Sequence, residues 1–225
     1  VTGVILGGGE GTRLYPATRA YNKHTAIVYD KPMVAYPIET LKEWGCDEII
    51  VVSGPKGCGD LFKVLRNGED FGVNIHYAVQ DNEAGGTAQA LGAIEGMVEG
   101  TFPVLCGDVY FNPAPEPVAE ATLYWHEFDG AENHTVWNPE TNELIEKPLR
   151  DIGKRAIVAY WFDERVFDVI KNLEPSARGE LEMVDIYKWY LENGIQMKEY
   201  DGTFVDMGTP DGLLKVANYV KNSTI

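Results

Sequence analysis

The apolar run Val1–Leu6 empties directly into Gly7-Gly8-Gly9-Glu10-Gly11-Thr12-Arg13, and this glycine-packed turn constrains the chain more than any other feature. Glycines bend the backbone sharply and turn successive N–H groups toward an anion, with no Cβ to hold phosphates away. Arg13 adds a forked cation. Two familiar phosphate loops are excluded. No Lys-Ser/Thr follows the glycines as a Walker A loop requires, and Leu14 stands where a dinucleotide fingerprint has its third glycine. A third kind of loop remains, GGGxGTRL, suited to a nucleoside triphosphate. Its bland competitor is an ordinary glycine-rich strand-to-helix turn.

At 225 residues and 44% hydrophobic, the chain can bury a full core as a single domain, 1–225. No apolar stretch approaches a membrane span and no basic-then-apolar leader opens it, so it reads as a cytoplasmic protein without a membrane partner. Cys46, Cys58 and Cys106 lack CxxC spacing and read as buried free thiols. His24, His76, His126 and His134 are scattered, and read as locally hydrogen-bonded rather than metal-binding. Sequons at Asn133 and Asn222 read as chance matches. A formal net charge of −16 disfavours nucleic acid and acidic membranes. The cations near the glycine loop, Arg13, Arg19, Lys23 and Lys31, then have to act locally on anionic ligands.

Apolar β-branched runs alternate with amphipathic segments, which predicts α/β architecture: a Rossmann-like, mainly parallel sheet flanked by helices. Strands are expected at Val1–Leu6, Asp47–Ser53, Asn74–Gln80 and Phe102–Leu105, with helices at Met33–Trp44, Asp60–Arg66 and Thr87–Val98. Pro37 predicts an irregularity in the first helix. Beyond Asn112 the prolines 113, 115 and 117 mark a loop into a small mixed β region, with strands at Ala121–Phe128, Glu143–Lys147 and Arg155–Phe162. Helices follow at Glu164–Asn172, Leu181–Asn193 and Asp211–Lys221. The halves are 1–111 for nucleotide and 112–225 for a second substrate.

Ligands of such sheets sit beyond the carboxyl ends of the strands. Asp108, after the apolar run FPVLCG, and Asp206, after Phe204-Val205, stand at such ends. Two carboxylates from distant segments suit magnesium, which completes its shell with phosphate oxygens and water. Either aspartate could instead be a helix cap or a turn former. Gln80 at a strand end can donate to and accept from a base edge, and glycine lets a base lie against the backbone at Gly85-Gly86. Glu146 and Lys147 alternate in direction along their strand and could form a mere surface pair.

GGGxGTRL, the Lys23 stretch, Gly107-Asp108, Glu146-Lys147-Pro148, Arg178-Gly179-Glu180-Leu181-Glu182 and Val205-Asp206-Met207-Gly208-Thr209 together resemble the sugar nucleotidyltransferases, especially the glucose-1-phosphate thymidylyltransferases. The resemblance runs from Val1 to about Val220. It implies the nucleotide-diphospho-sugar transferase fold and the joining of a nucleoside triphosphate, dTTP or UTP, to a hexose 1-phosphate such as glucose 1-phosphate, with release of pyrophosphate. It further implies Arg13 and Lys23 as catalytic residues, and Leu6, Gly8, Gly9, Gly11, Thr12, Gln80, Gly85, Gly86 and Asp108 as nucleotide contacts. Glu146, Lys147, Arg178 and Glu180 would bind the sugar phosphate, and Asp108 and Asp206 would hold Mg2+. A monomer or small homo-oligomer is expected.

The sequence departs from that pattern at several points. Val109 stands where the family usually has Asn after the first aspartate, the stretch from Phe111 to Ala121 is short, and the loop that carries Gly85-Gly86-Thr87-Ala88-Gln89-Ala90 has one extra residue. Near Asn133-His134 no Tyr-Gly sugar-binding pair is found, and no counterpart of the C-terminal helices that often complete the family is expected. A cytidylyltransferase acting on another phosphomonoester shares the glycine loop but not the Glu-Lys-Pro and Arg-Gly-Glu-Leu-Glu stretches. A non-catalytic nucleotide sensor would have no need of this set of phosphate and metal side chains. A glycosidase has use for paired carboxylates but none for the glycine loop.

Overall fold

The computed structural model describes residues 1–81 and 85–223. In chain order the strands are β1 (Thr2–Leu6), β2 (Ile27–Val28), β3 (Lys31–Pro32), β4 (Glu48–Ser53), β5 (Asn74–Val79), β6 (Phe102–Cys106), β7 (Val109–Asn112), β8 (Thr122–Glu127), β9 (Thr135–Asn138), β10 (Glu143–Glu146), β11 (Arg155–Phe162), β12 (Gln196–Glu199) and β13 (Thr203–Asp206). The helices are α1 (Ala35–Glu43), α2 (Cys58–Leu65), α3 (Gly86–Gly92), α4 (Arg165–Lys171), α5 (Met183–Asn193) and α6 (Pro210–Ser223).

β1 lies inside the sheet because it is apolar on both faces, as a strand covered on both sides must be. It pairs in parallel with β4 (Val4↔Ile50) and with β6 (Val4↔Val104), and β5 continues the parallel half beyond β4. Side chains alternate across the sheet. Val4 and Leu6 join a core with Leu91, Phe102 and Ile186 on one face, while Ile5 joins Ile38, Leu41 and Leu61 on the other. β11 then pairs antiparallel with β6 (Tyr160↔Val104) and brings in β8 and β9. The mixed region is therefore an extension of one nine-stranded sheet rather than a separate lobe.

Several elements differ from expectation for identifiable reasons. α1 begins at Ala35, and Pro37 causes no break because it sits in the first turn, where its missing N–H has no intrahelical partner to lose. α3 stops at Gly92 instead of reaching Val98; the chain leaves in turns, with Gly96 at φ +78°. β7, β12 and β13 are four-residue strands paired with distant partners, and β9 is a four-residue strand that forms a hairpin with β10, all too short for a local periodicity to announce them. β13 pairs antiparallel with β7, setting Asp206 opposite Val109. Among the described residues no helix is long and apolar enough to cross a membrane. Of the three free cysteines only Cys46 is buried; Cys58 and Cys106 are half-buried.

Candidate active site

The carboxyl ends of the parallel strands converge on one cavity of about 400 Å³. The glycine loop is tied to both neighbouring strands: Gly7 N–H donates to Val52 O at 2.7 Å, and Gly107 N–H donates to Leu6 O at 2.9 Å. Leu6, Gly8, Gly9, Arg13 and Lys23 line the cavity on this side, with Gln80 and Gly86 beside them. Gly11 and Thr12 do not line it. Gly11 is left-handed (φ +63°), and a Cβ there would lie 2.9 Å from the Lys23 Cβ, so its glycine makes room for the lysine. Gly85 also stands behind the lining. Its C=O accepts from Leu181 N–H at 3.0 Å, and Ala88 N–H donates to Leu181 O at 3.2 Å. These bonds stitch the start of α3 to the Arg178–Glu182 stretch.

Asp108 and Asp206 meet because β7 and β13 pair. Met207 N–H donates to Asp108 O at 2.8 Å, and Gly208 N–H to Asp206 Oδ1 at 2.7 Å. The point where a Cβ of Gly208 would sit is 2.6 Å from Arg13 Nη2, 2.8 Å from Asp206 Oδ1 and 2.9 Å from Asp108 Oδ2. Each carboxylate already has a cation: Lys23 Nζ donates to Asp108, and Arg13 Nη1 donates to Asp206 Oδ2 at 2.9 Å. Burial opposes both charges of the Lys23–Asp108 pair. Their mutual attraction prevails, so the lysine pKa stands above its ordinary value and the aspartate's well below.

His24 is buried behind this pair, its Nδ1 2.9 Å from Asn22 Oδ1. Burial and the Lys23 charge push its pKa down to about 3, so it is neutral. His24 thus matches the local hydrogen-bonding role expected of it, but His134 does not. His134 lines the cavity, its Nε2 3.8 Å from Asp206 Oδ2, and burial lowers its pKa.

The opposite wall carries Glu146, Lys147, Arg178 and Glu180. Lys147 lies just past β10 in a left-handed conformation (φ +45°), so both it and Glu146 face the cavity, 3.6 Å apart. They are a pair and a cavity wall at once. Thr135 Oγ1 donates to the Glu146 carboxylate. Arg178 donates to Glu182 Oε1 at 2.8 Å. Sequence reasoning missed Thr135, Tyr160 and Tyr187 as lining residues, and no motif flags them. Asn133 also lines the wall, so a glycan on that sequon would occupy the cavity.

Among the described residues no three His, Cys, Asp or Glu side chains form a metal cage. Two carboxylates with phosphate oxygens and water nonetheless suit magnesium. Asp108 and Asp206, both within 3 Å of one point, fit that donor set.

The sequence profile described as nucleotidyl transferase matches residues 2–127 and 127–223. The glucose-1-phosphate thymidylyltransferase of Neisseria meningitidis is 34% identical over 237 aligned residues, spanning 97% of this chain and 82% of that protein. The low-salt glycan biosynthesis nucleotidyltransferase Agl11 of Haloferax volcanii is 35% identical, over 97% of this chain and 65% of its own length. The crystal structure of a Bacillus anthracis protein described as a glucose-1-phosphate thymidylyltransferase, in complex with sucrose, superposes with TM-score 0.86 at 35% identity, covering 98% of this chain and 96% of that one. UDP-glucose pyrophosphorylase complexed with UDP-glucose shares the fold, with TM-score 0.81 at 18% identity over 99% of this chain and 98% of that one. With a sheet whose strand ends gather a glycine loop, two carboxylates and two cations, and a family profile matched along nearly its whole length, this chain belongs to the nucleotidyl transferase family.

Proposed function

We propose that this protein joins a nucleoside triphosphate, dTTP or UTP, to a hexose 1-phosphate such as glucose 1-phosphate. The observation carrying this reading is the convergence of Arg13, Asp108 and Asp206 within 3 Å of one point, beside the glycine loop and across the cavity from Lys147 and Arg178. An oxygen of the sugar phosphate forms a bond to the α-phosphorus while the bond to the β-phosphate oxygen breaks, and pyrophosphate leaves with that electron pair. No protein nucleophile is needed. The chain has to hold two repelling anions in line and meet the charge that develops between them.

In this reading residues 1–111 hold the nucleotide and 112–225 the sugar phosphate. The glycine loop and Arg13 take the triphosphate, Lys23 steadies the reacting phosphates, and Gln80 with Gly86 receives the base, with Gly85 bracing that loop from behind. Lys147 and Arg178 receive the sugar-linked phosphate, and Glu146 and Glu180 accept from sugar hydroxyls. Asp108 and Asp206 would hold magnesium, which when bound neutralises phosphate charge. Pyrophosphate release with magnesium and glucose 1-phosphate, measured against dTTP, UTP, CTP, GTP and ATP, tests the reading. Release with dTTP or UTP, abolished by chelator, is expected; silence with all five while other hexose 1-phosphates also fail overturns it. Arg13→Ala should lower kcat at least about tenfold, about 1.4 kcal/mol of transition-state stabilisation. A change confined to KM would contradict its role.

A further inference from the structure

His134 lines the cavity between residues assigned to the two halves of the proposed chemistry, and it has no part in the assignments above. Its ring is fixed by two phenylalanines: the centroid of Phe128 lies 5.4 Å away and that of Phe204 6.1 Å away, both edge-on. Phe204 and Asp206 are two residues apart on β13 and point to the same face. The ring resting on Phe204 therefore directs Nε2 toward the Asp206 carboxylate. At 3.8 Å from Oδ2 it stops short of a hydrogen bond. Among the described residues neither ring nitrogen has a hydrogen-bond partner. On its backbone, His134 C=O accepts from Lys147 N–H at 2.9 Å. One residue thus borders both the carboxylate proposed for the metal and the lysine proposed for the acceptor.

In-line transfer requires the acceptor phosphate to lie within about 3.5 Å of the α-phosphorus. An acceptor held by Lys147 and reacting beside Asp206 would bring its phosphate near His134, which borders both residues. We propose that His134 donates from Nε2 to an oxygen of the acceptor's phosphate. The inference rests on the transferase reading. A half-buried ring, held rigidly by aromatic neighbours and carrying an unused donor, is pre-organised for such a contact.

The test compares wild type, His134→Phe and His134→Gln in pyrophosphate release with magnesium, glucose 1-phosphate and whichever of dTTP or UTP the wild type uses. Phenylalanine keeps the ring packing and removes the donor; glutamine restores a neutral N–H. The expected result for His134→Phe is a KM for glucose 1-phosphate raised at least about tenfold, the loss of one hydrogen bond to a charged group. Its KM for the triphosphate should stay within about twofold and its melting temperature should match wild type. His134→Gln should recover most of the acceptor KM. An unchanged acceptor KM in His134→Phe overturns the contact while leaving the transferase reading standing. Equal losses in both variants with a lowered melting temperature, or a triphosphate KM that rises as much as the acceptor's, also overturn it. A wild type inactive with all five triphosphates, on glucose 1-phosphate and on other hexose 1-phosphates alike, overturns both readings.

Discussion

Lys23 and Asp108 balance each other inside a site where neither charge is well solvated. Asp108→Asn therefore does two things: it removes a proposed metal ligand and it strands a largely buried ammonium. Removing one partner of a buried pair costs about 3 kcal/mol, the lower end of the usual range, because Asp206 also attracts Lys23. The single variant should lose turnover and stability together. Lys23→Met added to Asp108→Asn should recover most of the stability but none of the turnover, read by urea melts and pyrophosphate release. Recovery of turnover would remove Asp108 from the chemistry. His24 makes a second residue-scale case. Its folded pKa of about 3 lies below the ordinary 6.5, so as pH falls the unfolded chain binds the proton first. The stability it contributes is complete above pH 6.5. It is lost at about 1.4 kcal/mol per pH unit as pH falls toward 3. His24→Gln should flatten the stability–pH slope across that window by about one proton; parallel slopes for variant and wild type would contradict the assignment.

Among the elements, the junction of α3 with the stretch before α5 joins the two halves of the cavity. Gly86 has φ +84°, and a Cβ there would lie 2.4 Å from the Leu181 carbonyl oxygen. Gly86→Ala should destabilise by more than about 1 kcal/mol. It should also raise both substrate KM values, because Leu181 is bonded to Gly85 and Ala88 and sits in the Arg178–Glu182 stretch. A rise in only one KM would show that the junction is not shared. This junction also marks what the sequence could tell. β1, the glycine loop and β6 were legible because each is a local pattern, an apolar run followed by turn residues. Asp108 and Asp206 were legible as strand-end carboxylates, but their meeting depends on the four-residue pairing of β7 with β13. His134 was misread because everything that gives it a task, Phe128, Phe204 and Asp206, is brought to it by tertiary structure. α3 is shorter than its apolar spacing suggests because the helix stops at Gly92 and the chain turns at Gly96, whose φ is +78°.

At the scale of the whole molecule, strand ends of the parallel half form one side of the cavity, and the antiparallel extension through β11 forms the other. Around this cavity the chain carries a net charge of −16. The two ion pairs at its centre bring together two positive and two negative side chains. That quartet sums to zero, so before a ligand arrives the centre holds no excess positive charge with which to draw a nucleotide from a distance. An approaching polyanion meets repulsion from the molecule at large and attraction only at contact, once Arg13 and Lys23 can exchange carboxylate for phosphate. Salt therefore acts on capture in the direction opposite to an electrostatically steered enzyme. With the screening length shortened to about 10 Å at 0.1 M ionic strength, nucleotide association should become faster, not slower, as measured by stopped-flow fluorescence. A rate that falls with added salt would locate a steering field that the quartet does not supply. In the proposed reading, selectivity belongs to the exchange of partners inside the cavity, and the net negative charge of the chain is a barrier that anions cross before that exchange can begin.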